Sequence, residues 1–216
     1  MKKRSLLFII LFTTIITKAQ FLNSLGITVG ISAPKQNFYF HNPDETFKKK
    51  FLFKPISLNA SVFAEFFSHD YVRWVTEIQY NQKGSLDKVN DSTKYKNRLQ
   101  YVCWNNYLKL RYEMYSIIPY VLIGPRLEYK IKQRMQSPPV TGDFLKLHVS
   151  AAFGAGVEFV SYGNIKFFVE GFYNPDINDG YIKPELHVKN INLELRVGLK
   201  YQFDSPTTCN TPVYNE

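Results

Sequence analysis

The feature that most constrains the fold is a strict alternation of apolar and polar residues in long segments. In residues 189–203 (KNINLELRVGLKYQF), Leu193, Leu195 and Val197 lie in one phase, and Glu194 and Arg196 lie in the other. A period of two predicts a β-strand with two unlike faces. Because strands of soluble sheets usually have about 5–6 residues, a strand this long points to an environment thicker than a soluble sheet.

The alternation recurs along the chain and predicts eight strands. Their approximate spans are 24–33, 56–67, 72–83, 99–113, 119–132, 146–160, 165–174 and 189–203. The connections after the second, fourth and sixth strands are short, whereas the others run to about a dozen residues or more. This inequality is typical of outer-membrane barrels with short periplasmic turns and long outer loops. The sequence therefore predicts an all-β, eight-stranded, antiparallel up-and-down transmembrane barrel.

The N-terminal segment predicts export. Lys2, Lys3 and Arg4 precede an apolar run, and Thr-Lys-Ala-Gln follows it, which is the order of a secretory signal peptide. The expected layout is a signal peptide at 1–19, an outer-membrane β-barrel at 20–203 and a polar C-terminal tail at 204–216. Removing four of the 27 basic residues leaves 23 minus 18, a net charge of +5. This charge is too small to indicate nucleic-acid binding, and no later run is long enough for a membrane helix.

Alternation alone leaves two orientations open, because a soluble lipocalin-like barrel carries its apolar side chains inward. The distribution of aromatic residues favours a membrane barrel, since amphipathic rings prefer the headgroup level on both sides of an aliphatic band. The expected girdles contain Phe66, Trp74, Tyr80, Trp104, Tyr112, Tyr129, Phe159, Phe167, Tyr173, Tyr201 and Phe203.

The polar face is expected to fill the lumen. It combines small residues, such as Gly26, Gly154 and Gly198, with nearly balanced charges that must be paired if they are buried. A tight turn with Gly163 at positive φ predicts Glu158 opposite Lys166. The predicted interior charge network is Glu65, Arg73, Glu77, Arg111, Arg126, Glu128, Glu158, Lys166, Glu170, Glu194 and Arg196. Glu113, Lys109, Lys130 and Lys200 are expected on the same face.

Four segments resemble the strands of a known family. RWVTEIQYNQKGS, PYVLIGPRLEYKI, VSAAFGAGVEF and INLELRVGLKYQF are similar to the strands of the PorT-like outer-membrane β-barrel family common in the Bacteroidetes. Gly124-Pro125 matches the family's pattern in the fifth strand. The resemblance implies an integral outer-membrane protein, and one member of the family is tied to secretion and gliding machinery, a role that does not transfer by resemblance alone.

The predicted partners lie at the membrane. Basic residues of the outer loops face the level of lipopolysaccharide phosphates, although loop solubility explains them equally well. They are Lys48, Lys49, Lys50, Lys94, Lys96 and Arg98, together with Lys83 and Lys88. The aromatic end of the last strand, Phe203, resembles the signal read by barrel-assembly machinery. Outer-membrane lipid and other envelope proteins are further expected partners, and nucleic acid is not.

Few residues carry chemistry. Ser68, His69 and Asp70 are adjacent in a tight turn and cannot form a catalytic triad. His148 and Ser150 share an inward face without an identifiable acid, and the histidine spacing suits no metal site. No cofactor is expected. Cys103 and Cys209 are expected at opposite ends of a filled barrel, and therefore unpaired.

The sequence favours a non-enzymatic structural or interaction protein of the cell envelope, localised to the outer membrane, and leaves open an accessory part in a secretion or envelope assembly. Two alternatives remain open at this point: a soluble periplasmic lipocalin-like carrier of an apolar ligand, and a lipid-modifying outer-membrane enzyme using His148. An open diffusion pore is disfavoured, because eight strands leave no channel.

Overall fold

The fold is an antiparallel β-barrel. The computed structural model describes residues 22–42, 45–53, 56–90, 93–134, 145–160, 163–179, 181–183 and 186–203. The expected signal peptide and C-terminal tail lie outside these ranges. The strands are β1 (Leu22–Asn42), β2 (Glu45–Phe53), β3 (Ser57–Phe66), β4 (Val72–Asn90), β5 (Thr93–Arg111), β6 (Ile117–Arg134), β7 (Leu147–Phe159), β8 (Ile165–Pro175), β9 (Tyr181–Lys183) and β10 (Leu186–Gln202).

Eight of these strands close the barrel. The order is β1-β3-β4-β5-β6-β7-β8-β10, and β10 pairs back onto β1 from Ser24↔Gln202 to Phe40↔Leu186. β2 and β9 pair with the upper parts of β1 and β10, beyond the residues that pair with β3 and β8. The predicted eight-stranded antiparallel barrel is therefore confirmed.

Several strands run further than the alternation predicted. The β4–β5 ladder continues to Asn90↔Thr93, and β1 continues to Asn42. Backbone pairing satisfies N–H and C=O groups regardless of side-chain pattern, so the hairpins extend beyond the alternating part. The strand hairpins thus project as ribbons at what we call the long-loop end.

The opposite end, called the short-turn end, carries the tight connections. These are residues 67–71, 112–116 and 160–164. Gly163 has φ of 112°, as the turn chemistry predicted, and Phe67 is a non-glycine residue with φ of 66°. The unequal ends predicted from the connection lengths are present.

The two faces of the barrel wall have opposite character. On β10, Leu193 and Leu195 are each 54% exposed, whereas Arg196 is 2% exposed. The same alternation holds in β3, where Leu58 and Val62 are outward. The apolar face therefore looks out and the charged face looks in, so the lipocalin-like arrangement is wrong for this chain. Within the described ranges, no helix is long and apolar enough to cross a membrane.

Glycines on the inner face make room for inward aromatic rings. A Cβ at Gly154 would lie 2.6 Å from Cε1 of Phe172, and Cβ atoms at Gly26 and Gly198 would collide with Phe63 and Phe168. Phe63 and Phe168 meet edge to face at a centroid distance of 5.6 Å. Small residues beside large ones thus fill the narrow lumen of an eight-stranded barrel.

Candidate functional site

The buried charged side chains of this protein lie inside the barrel, where they form a stack of ion-paired layers. Nearest the short-turn end, Lys200 Nζ lies 2.9 Å from Glu65 and 2.7 Å from Glu158. Lys109 Nζ contacts the same two carboxylates, at 2.6 Å from Glu65. Arg73 Nη1 adds a contact of 3.1 Å to Glu65. We call this set the lower charge ring; each lysine bridges carboxylates on strands that are not its sheet neighbours.

Arg196 occupies the next layer. Its guanidinium lies 2.8 Å from Glu77 Oε1 and 2.8 Å from Glu170 Oε1. Glu170 faces Arg196 directly in the β8–β10 ladder. The guanidinium carbon also lies 4.0 Å from the centroid of the Phe172 ring, which is a cation–π contact.

Two buried tyrosines complete the Arg196 layer. Tyr107 Oη donates to Glu77 at 3.1 Å, and Tyr120 Oη donates to Glu170 at 2.9 Å. Both carboxylates are therefore hydrogen-bonded as well as paired, which a buried charge requires. A cavity of about 20 Å³ between this layer and the lower charge ring is close to the space of one water molecule.

Glu194 is the centre of the third layer. Its carboxylate accepts hydrogen bonds from Arg126 at 2.8 Å, Gln79 at 2.7 Å and Asn81 at 3.0 Å. Three further amides, at distances from 2.9 to 3.4 Å, come from Asn59, Asn174 and Asn192. Sequence reasoning missed this amide ring, although each of its members lies in the inward phase of a predicted strand.

The uppermost layer lies towards the long-loop end. Lys83 Nζ is 2.7 Å from Glu128 and 2.9 Å from Asp176, and Ser150 Oγ donates to Glu128 at 2.7 Å. His148 Nδ1 lies 4.0 Å from Asp176 Oδ2. Sequence reasoning missed Asp176 because it belongs to a predicted loop; in the structure an isolated bridge to Ser150 folds it inward.

The structure corrects four expectations about charge. Lys83, expected at the outer surface, is fully buried. Glu158 faces Phe168 in the ladder, not Lys166, because the turn contains two more residues than expected. The Glu113 side chain is 54% exposed in a turn, and Lys130 is only half-buried.

The remaining predicted network residues are all buried on the inner face. Among the described residues the buried acids are Glu65, Glu77, Glu128, Glu158, Glu170, Asp176 and Glu194. The buried bases are Arg73, Lys83, Lys109, Arg111, Arg126, Lys166, Arg196 and Lys200. The structure brings most of them into the four layers, while Arg111 and Lys166 stand apart near the short-turn end.

The predicted girdle residues lie on the outer face. Trp74, Tyr80, Trp104, Tyr112, Tyr129, Phe159, Phe167, Tyr173, Tyr201 and Phe203 are exposed there, and Phe66 is half-buried. Phe66 contacts Trp74 at a centroid distance of 5.1 Å, and Phe159 stacks on Phe167 at 5.5 Å. Between them the outer face is aliphatic.

The predicted outer-loop cations are only partly visible. Arg98 donates to Gln82 Oε1 at 3.0 Å. The side chains of Lys48, Lys49, Lys50, Lys94 and Lys96 lie outside the described part of the chain. Near Arg98, which faces Arg134 in the β5–β6 ladder, the structure adds exposed Lys132, Arg134 and Lys146.

The groups that could support catalysis are enclosed. His148 and Ser150 are 1% and 0% exposed, and Ser150 already donates to Glu128. In the described ranges no cluster of three or more His, Cys, Asp or Glu side chains has the geometry of a metal site. Cys103 is a buried free thiol that accepts a hydrogen bond from Arg126 at 3.2 Å, and Cys209 lies outside the described residues.

Comparison with known proteins yields structural likenesses only. No protein-family model and no curated sequence matches the chain. The outer membrane protein OprG from Pseudomonas aeruginosa is 11% identical over 86% of this chain and 98% of its own, with a TM-score of 0.54. Neisserial surface protein A is 12% identical over 83% and 97% of the two chains, with a TM-score of 0.48.

Ail of Yersinia pestis, in complex with the heparin analogue sucrose octasulfate, is 16% identical over 83% of this chain and 99% of its own, with a TM-score of 0.44. Together with the closed eight-stranded topology, the likeness to OprG shows that this chain has the fold of the eight-stranded outer-membrane β-barrels.

Proposed function

We propose that this protein is an integral outer-membrane β-barrel with a structural or interaction role in the cell envelope and no catalytic activity. The observation that carries the proposal is the inversion of polarity across the wall: ion-paired charges fill the lumen, and aliphatic side chains cover the outside. In water such a surface would be an aggregation hazard, because soluble monomers rarely expose apolar patches beyond a few hundred Å².

The outer face has the chemistry of a lipid contact. Ile27, Val29, Val197 and Leu199 lie side by side on β1 and β10 and are 40–57% exposed. The sheet closes on itself, so each wall strand pairs with a neighbour on both sides, which is the backbone arrangement that hydrocarbon requires of spanning strands. We infer that the aromatic residues near the strand ends form the two interfacial girdles.

The filled lumen supports a role other than transport. Arg196, Glu194 and the lower charge ring occupy the barrel axis, and the cavity beside Arg196 admits about one water. The burial of His148 and Ser150 supports a non-catalytic role in the same way, since a lipid substrate has no described access to them. We therefore assign contacts with partner molecules to the two ends of the barrel.

We assign the lipid-phosphate contact to a basic band on the outer wall near the long-loop end. It comprises Arg98, Lys132, Arg134 and Lys146. The band follows Tyr129, which is exposed at the end of the aliphatic surface. Cations at this height would meet lipopolysaccharide phosphates, which arginine and lysine bind well.

We also propose membership of the PorT-like family. The four resembling segments fall on β4, β6, β7 and β10. In each of them the apolar phase faces out, so the resemblance follows the physical pattern of the wall. A part in secretion or another envelope assembly is an extension of this proposal and implies protein partners at the ribbons or turns.

Membrane fractionation tests the location. We expect the protein to sediment with the outer membrane and to need detergent for extraction, because the aliphatic belt is stable only against lipid. Unheated samples should migrate differently from boiled ones on gels, as a compact barrel does. Recovery in the aqueous phase without detergent, in a folded state, would overturn the proposal.

Lys132→Gln combined with Arg134→Gln tests the basic band. Each cation near an anionic membrane surface contributes about 1 kcal/mol, so the loss of two cations is expected to weaken lipopolysaccharide binding by the double variant roughly thirtyfold. The matched control is Lys189→Gln, which removes a partly exposed charge paired with Asp179 at 3.8 Å. Equal affinity of the double variant and the control would show that the band does not contact the phosphates.

A further inference from the structure

The lumen carries uncompensated positive charge at the short-turn end. Among the described residues, the buried cations there are Arg73, Lys109, Arg111, Lys166 and Lys200. The buried carboxylates there are Glu65 and Glu158. Asp70 and Glu113 lie in the short turns and are exposed. Lys109 and Lys200 use both buried carboxylates in the lower charge ring, so Arg111 and Lys166 remain without a buried counter-charge.

Lys166 is the first of these cations. It is only 5% exposed and lies directly opposite Lys200 in the β8–β10 ladder. Like charges directly opposite each other destabilise a strand pair. Glu158, the nearest carboxylate on the neighbouring strand, is held by Lys109 and Lys200. No ion pair of Lys166 within 4.0 Å occurs in the described part of the chain.

Arg111 is the second cation. It is the last residue of β5, and its N–H bonds to Tyr71 O at 2.9 Å, which places its inward side chain diagonally beside Arg73. Its Nη2 lies 2.8 Å from the carboxylate of Glu113, outside hydrogen-bond geometry, and Nε has no acceptor. Nε of Arg73 is also without an acceptor. Two guanidinium groups thus keep unused donors at the same mouth.

A buried cation without a partner costs several kcal/mol. In the described residues Lys166 has no counter-ion within 4.0 Å, and Arg111 has only the exposed carboxylate of Glu113, so the arrangement is unfavourable unless a further anion completes it. Arg73, Arg111 and Lys166 come from β4, β5 and β8. Glu158 and Glu113 attract the Lys166 ammonium, and both arginines repel it. Guanidinium forks and an ammonium are the donors that oxyanions prefer in proteins. We propose that the short-turn mouth of the lumen binds one oxyanion, a phosphate or carboxylate group, between Arg73, Arg111 and Lys166.

The oxyanion has two sources that share this chemistry. One is a free anion in the compartment facing the short turns. The other is the chain itself, because Asp204 directly follows Phe203, the last described residue, and Glu216 follows in the same polar segment. Phe203 N donates to Asn23 O at 2.9 Å, so the chain leaves the barrel beside Asn23, which accepts from Arg73.

The test is a titration of the full-length barrel in detergent micelles with inorganic phosphate. We expect saturable binding by calorimetry, and a rise of several degrees in the unfolding temperature at saturation. Arg111→Gln and Lys166→Gln should each weaken binding roughly tenfold or more, since each removes a charge-assisted hydrogen bond. The matched control is Lys189→Gln, which removes a partly exposed cation at the long-loop end and should bind phosphate normally.

Each outcome decides the proposal. If a free anion is the source, Lys166→Gln should unfold at the wild-type temperature or above in phosphate-free buffer, because it removes an uncompensated cation. If the chain's own carboxylates are the source, this should hold only in the Asp204→Asn, Glu216→Gln background. A purely structural lysine would lower the unfolding temperature in both backgrounds when it is replaced. The chain's own carboxylates are the source if the wild type binds no phosphate, the Asp204→Asn, Glu216→Gln variant binds it, and the further change Arg111→Gln abolishes that binding. Absence of binding in both backgrounds, or equal affinity of Lys166→Gln and the control, would overturn the site.

Discussion

Replacing Arg196 by methionine is expected to destabilise the barrel by about 3–5 kcal/mol, because removing one partner leaves buried charges uncompensated. Arg196 neutralises Glu77 and Glu170 at 2.8 Å each and packs on Phe172. Methionine keeps much of the volume of the side chain, so the cost reports the charge and not a cavity. The free energy of unfolding in lipid vesicles, from urea titration followed by far-UV circular dichroism, measures the effect.

The matched control removes the stranded carboxylates as well. We expect Arg196→Met combined with Glu77→Gln and Glu170→Gln to recover much of the lost stability, because a neutral layer no longer holds unpaired charge. The three positions are in contact, so their effects should be strongly non-additive. A loss below about 1 kcal/mol for Arg196→Met alone would contradict the ion-paired lumen, since it equals the cost of an exposed pair.

Val197 follows Arg196 in the sequence and lies on the opposite, outer face of the wall. Replacing Val197 by arginine is expected to lower the free energy of unfolding by about 2–4 kcal/mol. Val197 lies midway between Tyr201 and Leu193 on β10, with Val29 and Val169 as its neighbours on β1 and β8. There a guanidinium would meet hydrocarbon instead of water. The free energy of folding into vesicles, measured by the same titration, gives the penalty.

Ile131→Arg supplies the depth control. Ile131 is 54% exposed and follows Tyr129 on β6, so it lies beyond the inferred upper girdle, where the same charge costs about 0–1 kcal/mol. A larger loss of folding free energy at Val197 than at Ile131 would indicate that a bilayer surrounds the barrel wall. Equal and small penalties at Val197 and Ile131 would mean that the outer face does not contact lipid.

The strands could be predicted from the sequence because their signal is local. Each predicted span overlaps one barrel strand, and the inward and outward phases of β10 agree residue by residue with the alternation. Orientation could also be predicted, because charge and glycine occur together in one phase and suit a crowded lumen better than solvent. The long-loop ribbons were underestimated because backbone pairing continues where the alternation stops.

The pairing inside the lumen could not be predicted. Glu158 was expected beside Lys166, but two additional turn residues shift the ladder and place Phe168 there. Lys83 and Asp176 are near the ends of recognisable strands, where a local pattern does not distinguish a buried residue from an exposed one. The amide ring around Glu194 draws on β3, β4, β8 and β10, so no single segment contains its signal.

By itself the sequence determined the period, the number of wall strands, the ends that carry short and long connections, and the composition of each face. Only the tertiary structure decided which charges meet. The reason is geometric: Glu65 on β3 reaches Lys200 on β10 across the lumen, and such contacts depend on strand stagger and closure of the whole barrel. The uncompensated cations at the short-turn mouth could not be predicted from the sequence either. An excess of positive charge in one layer of the lumen exists only once the strands have assembled into layers.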